Sequence, residues 1–502
     1  MIRFNTILAN TTKVAFSSLV MLGSAASFAQ TMEFTLDANN VFPTLSNGAI
    51  KFGDIDGDGD LDIFMSGKNG YDYYSQIYVN NDGVFTLQTG TTITPLANSS
   101  AQFIDVENDD DLDLIVAGRG EDGVVTELYL NDGQGNFTLS TANTFTKMEY
   151  GFILVADVND DGFSDIFVAG SNGISGKSNL YINDGTGVFT AATTSIPNLG
   201  EESFGDFADV DNDGDIDLFI SGRDNSFSIV TQLYKNDGHG NFTLEQGTNF
   251  RSIMYGDAKF ADITGDGWVD LVTSGKNDDF ANEKNIYFNQ GDGTFLLNGN
   301  SSITSAANGK IEFLDADRDG DLDLLLTGES GGNMLATIYA NQNGEGIFTV
   351  NDAYNLTGVS EGAVAVGDVN GDGSADILIS GIQTNSANFS GLYINETCFD
   401  SFLDQETLAD INANCAVESV TPPTATTCNG TINGTTSTTF PITTPGTTVI
   451  AWSFDDGNGF TAVLEQRVII ALINANVVLT GTTLEVAADP ATHTFQWINC
   501  AD

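Results

Sequence analysis

The stretch that decides the fold is DIDGDGDLD, Asp54–Asp62. Six further stretches keep its pattern, D-x-[DNTE]-x-D-[GD]-x-x-D, and the first aspartates lie 51, 52, 52, 53, 53 and 53 residues apart. These copies are Asp105–Asp113, Asp157–Asp165, Asp209–Asp217, Asp262–Asp270, Asp315–Asp323 and Asp368–Asp376. A fixed period of this length predicts an architecture built from one supersecondary unit per copy.

The alternating carboxylates of each loop indicate a binding site for a hard dication. Positions 1, 3, 5 and 9 offer side-chain oxygens and position 7 its backbone carbonyl, a donor set that suits Ca²⁺ better than the strictly octahedral Mg²⁺. Carboxylates held about 4 Å apart repel by roughly 1 to 4 kcal/mol per pair, and a bound dication reverses that sign. No histidine or cysteine lies in any copy, which disfavours zinc. The sequence therefore predicts up to seven Ca²⁺ ions.

The predicted ligands are the residues at positions 1, 3, 5, 7 and 9 of every loop. In the first four loops they are Asp54, Asp56, Asp58, Asp60, Asp62; Asp105, Glu107, Asp109, Asp111, Asp113; Asp157, Asn159, Asp161, Phe163, Asp165; and Asp209, Asp211, Asp213, Asp215, Asp217. In the last three they are Asp262, Thr264, Asp266, Trp268, Asp270; Asp315, Asp317, Asp319, Asp321, Asp323; and Asp368, Asn370, Asp372, Ser374, Asp376.

The seven loops are not equivalent. The first, fourth and sixth carry aspartate at positions 1, 3, 5 and 9, whereas Asn159, Asn370 and Thr264 offer neutral oxygens at position 3 of three others. The second loop has Glu107 there, and Asp110 replaces the glycine of the bend, so this loop is predicted to bind most poorly. A single loop of this type could be an Asx-rich turn without a metal. Seven copies in register favour calcium.

The rest of each repeat predicts four short strands. A small residue and a glycine follow each loop, then Tyr-x-Asn, a glycine-rich turn and a phenylalanine, usually followed by threonine. In the fourth repeat the predicted strands are Phe204–Val210, Asp217–Ser221, Thr231–Tyr234 and Phe242–Glu245. Four strands per repeat of this length are typical of a β-propeller blade.

The two ends of the repeat region predict that the array closes. The seventh repeat stops after Tyr393-Ile394-Asn395 without its Phe-Thr strand, and Phe34-Thr35-Leu36 supplies a spare one. Phe34 precedes Asp54 by 20 residues, the spacing of the equivalent phenylalanines elsewhere. A linear solenoid would leave this strand unmatched and expose both edges. The predicted fold class is therefore all-β, a seven-bladed β-propeller followed by immunoglobulin-like β-sandwich modules.

Composition bounds the environment and the partners. The 502 residues carry 69 Asp+Glu against 16 Lys+Arg, a net charge of −53, which excludes nucleic acid as a partner because phosphate binding needs basic surface. Residues 1–29 have a positive start, an apolar stretch and Ser27-Phe28-Ala29 before the predicted cleavage, so they are interpreted as a signal peptide. A buried helix or a membrane anchor is the alternative for this segment. No other stretch is long enough to span a membrane.

The predicted domains follow from these boundaries. Residues 1–29 are the signal peptide, 30–397 the propeller, 398–472 a small β-sandwich rich in threonine, and 473–502 the start of a further module that the chain truncates. All four cysteines, Cys398, Cys415, Cys428 and Cys500, follow the repeats, and their spacing leaves the pairing open. The protein is predicted to be secreted, in the extracellular space or on the cell surface.

Residues 33–395 resemble the FG-GAP/VCBS repeats of the integrin α-subunit propeller and of many secreted bacterial proteins. The loop, the small residue with glycine, Tyr-x-Asn and Phe-Thr all recur, although pairs such as Ser66-Gly67 replace the "GAP" triplet. The resemblance implies metal ligation at the loop positions, but no integrin ligand-binding residue matches here. Residues 404–471, with Trp452–Gly457, resemble HYR-type immunoglobulin-like modules, which accompany such repeats in proteins of Bacteroidota.

The predicted function is a calcium-binding adhesion or ligand-binding module for an extracellular protein or glycan. The alternatives are an extracellular propeller enzyme, either a polysaccharide lyase or a hydrolase, and a structural stalk. The chain is predicted not to be an enzyme, since His239 and His493 are its only histidines and it has neither a G-x-S-x-G nor an H-E-x-x-H pattern. No catalytic residue and no cofactor besides Ca²⁺ is predicted.

Overall fold

The computed structural model describes residues 34–299, 302–351, 354–396, 402–403, 407–414, 416–427, 430–455, 461–470, 477–480 and 483–486. All regular elements in these ranges are β-strands. They belong to two compact units, one within Thr31–Cys398 and a second whose described residues lie within Phe399–Asp502. Across the described ranges, no helix has the length and apolar character needed to cross a membrane.

The first unit consists of seven antiparallel four-stranded sheets, one for each repeat. Sheet 1 contains Ile50–Gly53, Asp62–Asn69, Asp72–Val79 and Thr86–Leu87. Sheet 2 contains Ala97–Ile104, Asp113–Gly120, Gly123–Leu130 and Thr138–Leu139. Sheet 3 contains Glu149–Ala156, Asp165–Ser171, Gly176–Asn183 and Phe189–Ala191. Sheets 4 and 5 contain Phe204–Ala208, Asp217–Arg223, Ile229–Lys235 and Thr243–Leu244; and Met254–Ala261, Asp270–Lys276, Asn282–Asn289 and Phe295–Leu297. Sheet 6 contains Ile311–Leu314, Asp323–Ser330, Asn333–Asn341 and Phe348–Val350.

Sheet 7 joins the two ends of the repeat region. Its first three strands are Ser360–Gly367, Asp376–Ile382 and Asn388–Asn395, and its fourth strand is Phe34–Leu36. Phe34 pairs with Asn395 and Leu36 with Tyr393 in antiparallel register. The prediction that the N-terminal strand completes the last sheet is confirmed.

The core lies between neighbouring sheets, because each sheet buries both of its faces. Along the second strand of sheet 1, Ile63 and Met65 pack with Leu378 of sheet 7, whereas Phe64 packs with Leu114 of sheet 2. Successive side chains of a strand point to opposite faces, so a continuous apolar run serves two interfaces. Since sheet 1 packs against sheet 7 as well as sheet 2, the repeats form a β-propeller.

Two recurring residues of the repeat are explained by contacts within the sheets. The tyrosine of Tyr-x-Asn is buried, and in five of the seven repeats its hydroxyl accepts a hydrogen bond from an amide of the preceding connection, as Tyr129 does from the Thr94 amide at 3.0 Å. The glycine that follows the small residue lies where backbones approach closely. At Gly67, φ is 146° and an added Cβ would lie 2.8 Å from the Ser46 carbonyl oxygen.

The described residues of the second unit form three small sheets. One comprises Phe402–Leu403, Thr424–Thr427 and Gly430–Asn433; another comprises Ile411–Ala413, Thr461–Ile470 and Gly446–Asp455; the third comprises Val477–Thr480 and Thr483–Val486. Trp452 and Phe454 pack with Ala425 and Val468 in one core. The immunoglobulin-like assignment and the domain boundaries stay predictions. The signal peptide and all four cysteines lie outside the described residues.

Candidate metal centres

The backbone of each acidic loop is wrapped around its position-1 aspartate. In the first loop the Gly57 amide donates to Oδ1 of Asp54 at 2.8 Å and the Gly59 amide to Oδ2 at 3.0 Å. Loop amides also donate to Asp105, Asp157, Asp209, Asp262, Asp315 and Asp368. These amides orient the carboxylate while leaving it further lone pairs for a cation.

Two positions of every loop lie in the left-handed region of backbone space. The φ angles are 69° to 97° at position 6, which includes Asp110, and 53° to 75° at position 4. The sequence argument singled out position 6 and missed position 4, although glycine, asparagine or aspartate fills it in six loops. Arg318 is the exception and holds φ 57° there. The two left-handed residues turn the alternate side chains of the loop inward.

Carboxylates converge in the three loops that the sequence marks as fully acidic. In the first and sixth loops the side chains at positions 1, 3 and 5 place oxygens within 4.8 Å of one another, and in the fourth loop those at positions 1, 3 and 9 do so. The residues are Asp54, Asp56 and Asp58; Asp315, Asp317 and Asp319; and Asp209, Asp211 and Asp217. Among the described residues, no such group forms in the other four loops.

Each of these three loops also contains a buried carboxylate oxygen that lacks a hydrogen bond. The atoms are Oδ1 of Asp56, Oδ1 of Asp211 and Oδ1 of Asp315, none of which has a partner among the described residues. Leaving a buried charged acceptor unsatisfied costs more than the 1–3 kcal/mol typical of a neutral group. An oxygen-bound cation would satisfy all three, so the residues present fit Ca²⁺. The ion would supply positive charge that cross-links the loop.

The position-9 aspartates have a second role that the sequence did not indicate. Asp62 is fully buried, and it accepts hydrogen bonds from the Ile55 amide at 2.9 Å and from the Asn80 amide at 2.7 Å. The same two bonds recur at Asp113, Asp165, Asp217, Asp270, Asp323 and Asp376. This carboxylate therefore fastens the loop to the end of the third strand.

Burial raises the pKa of all seven position-9 carboxyl groups. The pKa rises to about 6 for Asp62, Asp165, Asp217 and Asp270 and to about 7 for Asp113, Asp323 and Asp376. Desolvation disfavours the ionised form, and the two amide donors only partly offset it. A cation that neutralises the loop would favour ionisation again.

The asparagine of Tyr-x-Asn links each loop to the loop of the preceding sheet. Asn80 Nδ2 donates to the Leu61 carbonyl of its own loop at 3.0 Å and to the Val369 carbonyl of the seventh loop at 2.7 Å. The equivalent donors to the preceding loop are Asn131, Asn183, Asn236, Asn289, Asn341 and Asn395. These seven bonds form a closed circuit, which we call the asparagine ring. In the sequence, the recurrence of this asparagine was the signal that could have indicated these bonds.

Position 7 contributes more than its carbonyl. Its amide donates to the position-5 carboxylate, as at Asp60, Asp111, Phe163, Asp215, Trp268, Asp321 and Ser374. Several of these side chains also cover the turn after the third strand. Phe163 lies against Gly185 and Trp268 against Gly291 of the same sheet. Metal ligation through the carbonyls at this position stays a prediction.

Neutral residues at position 3 behave differently from aspartate. The Asn159 side chain donates to Asp161 Oδ2, and Asn370 donates to Asp372 Oδ2, both at 2.9 Å. Each side-chain amide thereby offers the loop a hydrogen bond in place of a third carboxylate, and its oxygen accepts from the amide of the position-5 residue. In the second loop burial raises the pKa of both Glu107 and Asp113; the hydrogen bond between them raises the pKa of Asp113 further and lowers that of Glu107.

The fourth loop contains a cation of its own. Lys235, the middle residue of Tyr234-Lys235-Asn236, places Nζ 2.7 Å from Asp211 Oδ2 and 3.0 Å from Asp217 Oδ2. The equivalent residue of the other repeats is uncharged, for example Val79 in the first. This ammonium contacts two of the predicted ligands of the loop, at positions 3 and 9.

Position-4 side chains tie alternate loops to their neighbours. Asn108 donates to the Gly162 carbonyl of the third loop at 2.7 Å, and Asn212 to the Gly267 carbonyl of the fifth loop at 3.0 Å. Arg318 donates to the Ser374 hydroxyl of the seventh loop at 3.2 Å. The acidic loops therefore form one hydrogen-bonded layer at one end of the sheets.

Comparison with solved structures gives distant similarities. A six-bladed fucose-recognising lectin from Aleuria aurantia is 13% identical, with a TM-score of 0.34, covering 59% of this chain and 91% of its own. The Vibrio cholerae biofilm matrix protein Bap1 is 15% identical, with a TM-score of 0.31, covering 86% of this chain and 69% of its own. A thermostable family-43 glycoside hydrolase is 11% identical, with a TM-score of 0.29, covering 54% and 98%. No curated protein is significantly similar to the chain.

The prediction that the chain is not an enzyme is wrong. The similar structures include glycoside hydrolases, among them a fructofuranosidase from Schwanniomyces occidentalis, beside lectins.

The sequence family is decided by the repeats themselves. The FG-GAP-like repeat matches residues 54–116, 105–168, 157–220, 209–273, 262–326 and 315–379. Each match runs from one acidic loop through the next, so six matches span all seven loops and cover more than half of the chain. The chain belongs to the FG-GAP-like repeat family.

Proposed function

We propose that this chain is a secreted or cell-surface, seven-bladed β-propeller that is stabilised by Ca²⁺ and binds a glycan or protein ligand. The observation that carries the calcium assignment is the buried Oδ1 atom without a hydrogen bond in each of Asp56 and Asp315, in two loops that have no described cationic side chain in contact with these carboxylates. In each case it lies in a group of three carboxylates whose oxygens are within 4.8 Å of one another.

The energetic argument is that the loops are unfavourable without an ion. Like charges at such separations repel by roughly 1 to 4 kcal/mol per pair, depending on the effective dielectric constant. Ligand binding to the folded state alone stabilises it by RT ln(1 + [L]/Kd), about 2.7 kcal/mol at a hundredfold excess over Kd. The extracellular location proposed from residues 1–29 would provide calcium continuously.

Calcium removal tests the proposal. We expect the melting temperature of the full chain to fall by several degrees in excess chelator and to recover when CaCl₂, but not NaCl, is added. Elemental analysis should find calcium bound to the purified protein. Asp56→Asn should reduce the calcium-dependent shift, whereas Asp72→Asn, at an exposed hairpin residue outside the loops, should leave it unchanged. An identical melting temperature with and without chelator would refute the calcium assignment.

The architecture of the unit supports the proposed ligand-binding role. Rigid sheets present seven sets of connections at each end, and binding residues are commonly found on loops that a rigid scaffold positions. A screen of glycans and extracellular matrix proteins, with and without Ca²⁺, tests it. Absence of any ligand in both conditions would favour the structural-stalk alternative.

A further inference from the structure

The end of the sheets opposite the acidic loops carries two exposed phenylalanines on neighbouring hairpins. Phe227 lies at the hairpin tip of sheet 4 and is 81% exposed, and Phe280 lies at that of sheet 5 and is 54% exposed. Both are in the left-handed region, with φ of 63° and 59°. A bulky residue rarely adopts this conformation outside strained turns.

The turn itself does not require an aromatic residue. In each tip the amide of the left-handed residue donates to the carbonyl three residues earlier, from Phe227 to Asp224 and from Phe280 to Asn277. Sheet 7 builds the same turn with Ser386, whose φ is 64° and whose amide donates to the Gln383 carbonyl. The two phenylalanines therefore expose apolar area and accept strain without a benefit to the turn.

An arginine with unused hydrogen-bonding capacity starts the hairpin of sheet 4 and contacts the tip of sheet 5. The Arg223 guanidinium carbon is 5.2 Å from the Phe280 ring centroid, and Arg223 begins the hairpin that carries Phe227. Its Nε is buried and has no hydrogen-bond partner within the described part of the chain. Arg119 and Arg251, by contrast, form ion pairs with Glu149 and Glu283. A buried donor without a partner is costly, and a ligand oxygen would satisfy it.

Further polar groups adjoin the arginine. The Tyr255 hydroxyl interacts with the Glu202 carboxylate, whose pKa responds to the charge of Arg223. Lys276 Nζ lies 5.7 Å from the Tyr255 ring centroid. The tips thus combine flat apolar rings with a donor and an acceptor, the mixture of apolar lining and few polar groups that is typical of small-ligand sites.

We propose that Arg223, Phe227 and Phe280 form a binding site for a neutral saccharide. The apolar C–H face of a sugar ring packs on an aromatic ring, and its hydroxyl oxygens can accept from Arg223 Nε. An anionic ligand is disfavoured by Glu202, Asp224 and the net charge of −53. A stable protein partner needs about 800 Å² of contact on each side, whereas a sugar needs little more than these tips.

The inference rests on the proposed ligand-binding function, and it names the ligand class and the location. The acidic loop of sheet 4 ends at Asp217, where the second strand begins, and Arg223 ends that strand. The saccharide site and the calcium loops therefore lie at opposite ends of the sheets. Their properties can be tested separately.

Affinity electrophoresis of the full chain tests the site in gels that contain laminarin, dextran, mannan or xylan, with polygalacturonate as the acidic comparison. We expect at least one neutral polysaccharide to retard the protein. Arg223→Gln, and Phe227→Ser combined with Phe280→Ser, should weaken this binding at least tenfold. Arg251→Gln and Ser386→Ala are matched controls and should bind like the wild type.

The outcomes separate the two proposals. The serine variant should melt no lower than wild type, because Ser386 holds the same turn, and it should keep its calcium-dependent shift. Retardation by none of the neutral polysaccharides, or by polygalacturonate alone, would overturn the saccharide site. Undiminished binding by the variants would also overturn it. So would a wild-type protein that binds collagen but no polysaccharide, if the variants lose the binding to collagen. Loss of the calcium shift in the wild type would instead contradict the proposed calcium assignment.

Discussion

The ammonium of Lys235 lies 3.0 Å from the buried carboxylate of Asp217, inside an acidic loop. A second contact, 2.7 Å to Asp211, places the same charge between two predicted calcium ligands. The neighbouring carboxylates raise the pKa of Lys235 against the effect of its burial, so the side chain is charged at neutral pH. The fourth loop therefore has a covalently attached cation at the place where we propose that an ion from solution binds in other loops.

Replacing this lysine should make the fourth loop depend on metal. We expect Lys235→Val to lower the free energy of unfolding by about 2 kcal/mol in chelator, because Asp217 loses a charged hydrogen bond. With Ca²⁺ present the loss should shrink, and calcium bound per chain should rise by one. Urea denaturation and calorimetric titration measure both effects. The converse variant, Val79→Lys, should reduce bound calcium by one; unchanged stoichiometry in both variants would contradict this role.

The pH dependence of the metal-free protein should be opposite to that of most proteins rich in carboxylates. Burial raises the pKa of Asp62 from 3.8 to about 6 and that of Asp323 to about 7. A raised pKa means that the stabilising contribution is complete below about pH 4 and is lost as pH rises through 6 to 7. Protein stripped of divalent ions should therefore melt higher at pH 5 than at pH 7.5.

Calcium should reverse this trend, because the ion binds ionised carboxylates and competes with protons. With saturating CaCl₂ the melting temperature should be higher at pH 7.5 than at pH 5. Differential scanning calorimetry at both pH values, with and without the ion, measures all four states. A metal-free protein that is more stable at pH 7.5 would contradict the burial argument.

The asparagine ring predicts a large effect from one amide. Asn80→Ala removes the donor to the Leu61 and Val369 carbonyls and leaves two backbone acceptors without this bond. Each unsatisfied buried acceptor costs about 1–3 kcal/mol, so we expect the free energy of unfolding to fall by about 3 kcal/mol. Urea denaturation in Ca²⁺ measures it. Asn81→Ala, at the exposed neighbouring position, should change it by less than about 0.5 kcal/mol.

Phe34 should be a stability determinant although it lies near the start of the described chain. It is 6% exposed and makes an edge-to-face contact with Tyr354, with ring centroids 5.1 Å apart. Truncating a buried phenylalanine typically costs 3–5 kcal/mol, so we expect Phe34→Ala to cost about 3 kcal/mol. Leu36→Ala, which affects a 47% exposed side chain of the same strand, is the control. Equal losses in the two variants would mean that strand pairing, rather than side-chain burial, holds this end.

Much of the fold could be predicted because the same local pattern is repeated. In the fourth repeat the predicted strand Asp217–Ser221 is observed as Asp217–Arg223, and Phe204–Val210 as Phe204–Ala208. The end strand was predictable because the spacing between Phe34 and Asp54 matches the other repeats. Each copy of a repeat is an independent observation of one periodic signal, so errors in a single copy have little effect.

The parts of the site that escaped prediction depend on contacts between distant residues. Asn80 and Val369 are 289 positions apart, and nothing local to either residue indicates the bond. Lys235 follows a buried tyrosine in an alternating strand, where a charged residue would ordinarily face solvent. The opposite hairpins were missed because Phe227 and Phe280 occupy turns whose sequences differ between repeats.

The pairing of Phe34 with Asn395 determines how the protein would respond to mechanical load. Because the strands are antiparallel, the chain leaves Phe34 toward its N-terminus and Asn395 toward its C-terminus at the same end of the pair. Tension applied between these two residues would therefore peel the hydrogen bonds apart one after another, instead of shearing all of them at once. A propeller pulled at these two residues would open first between the Phe34–Leu36 and Asn388–Asn395 strands of sheet 7, at low force, while its other six sheets stay intact.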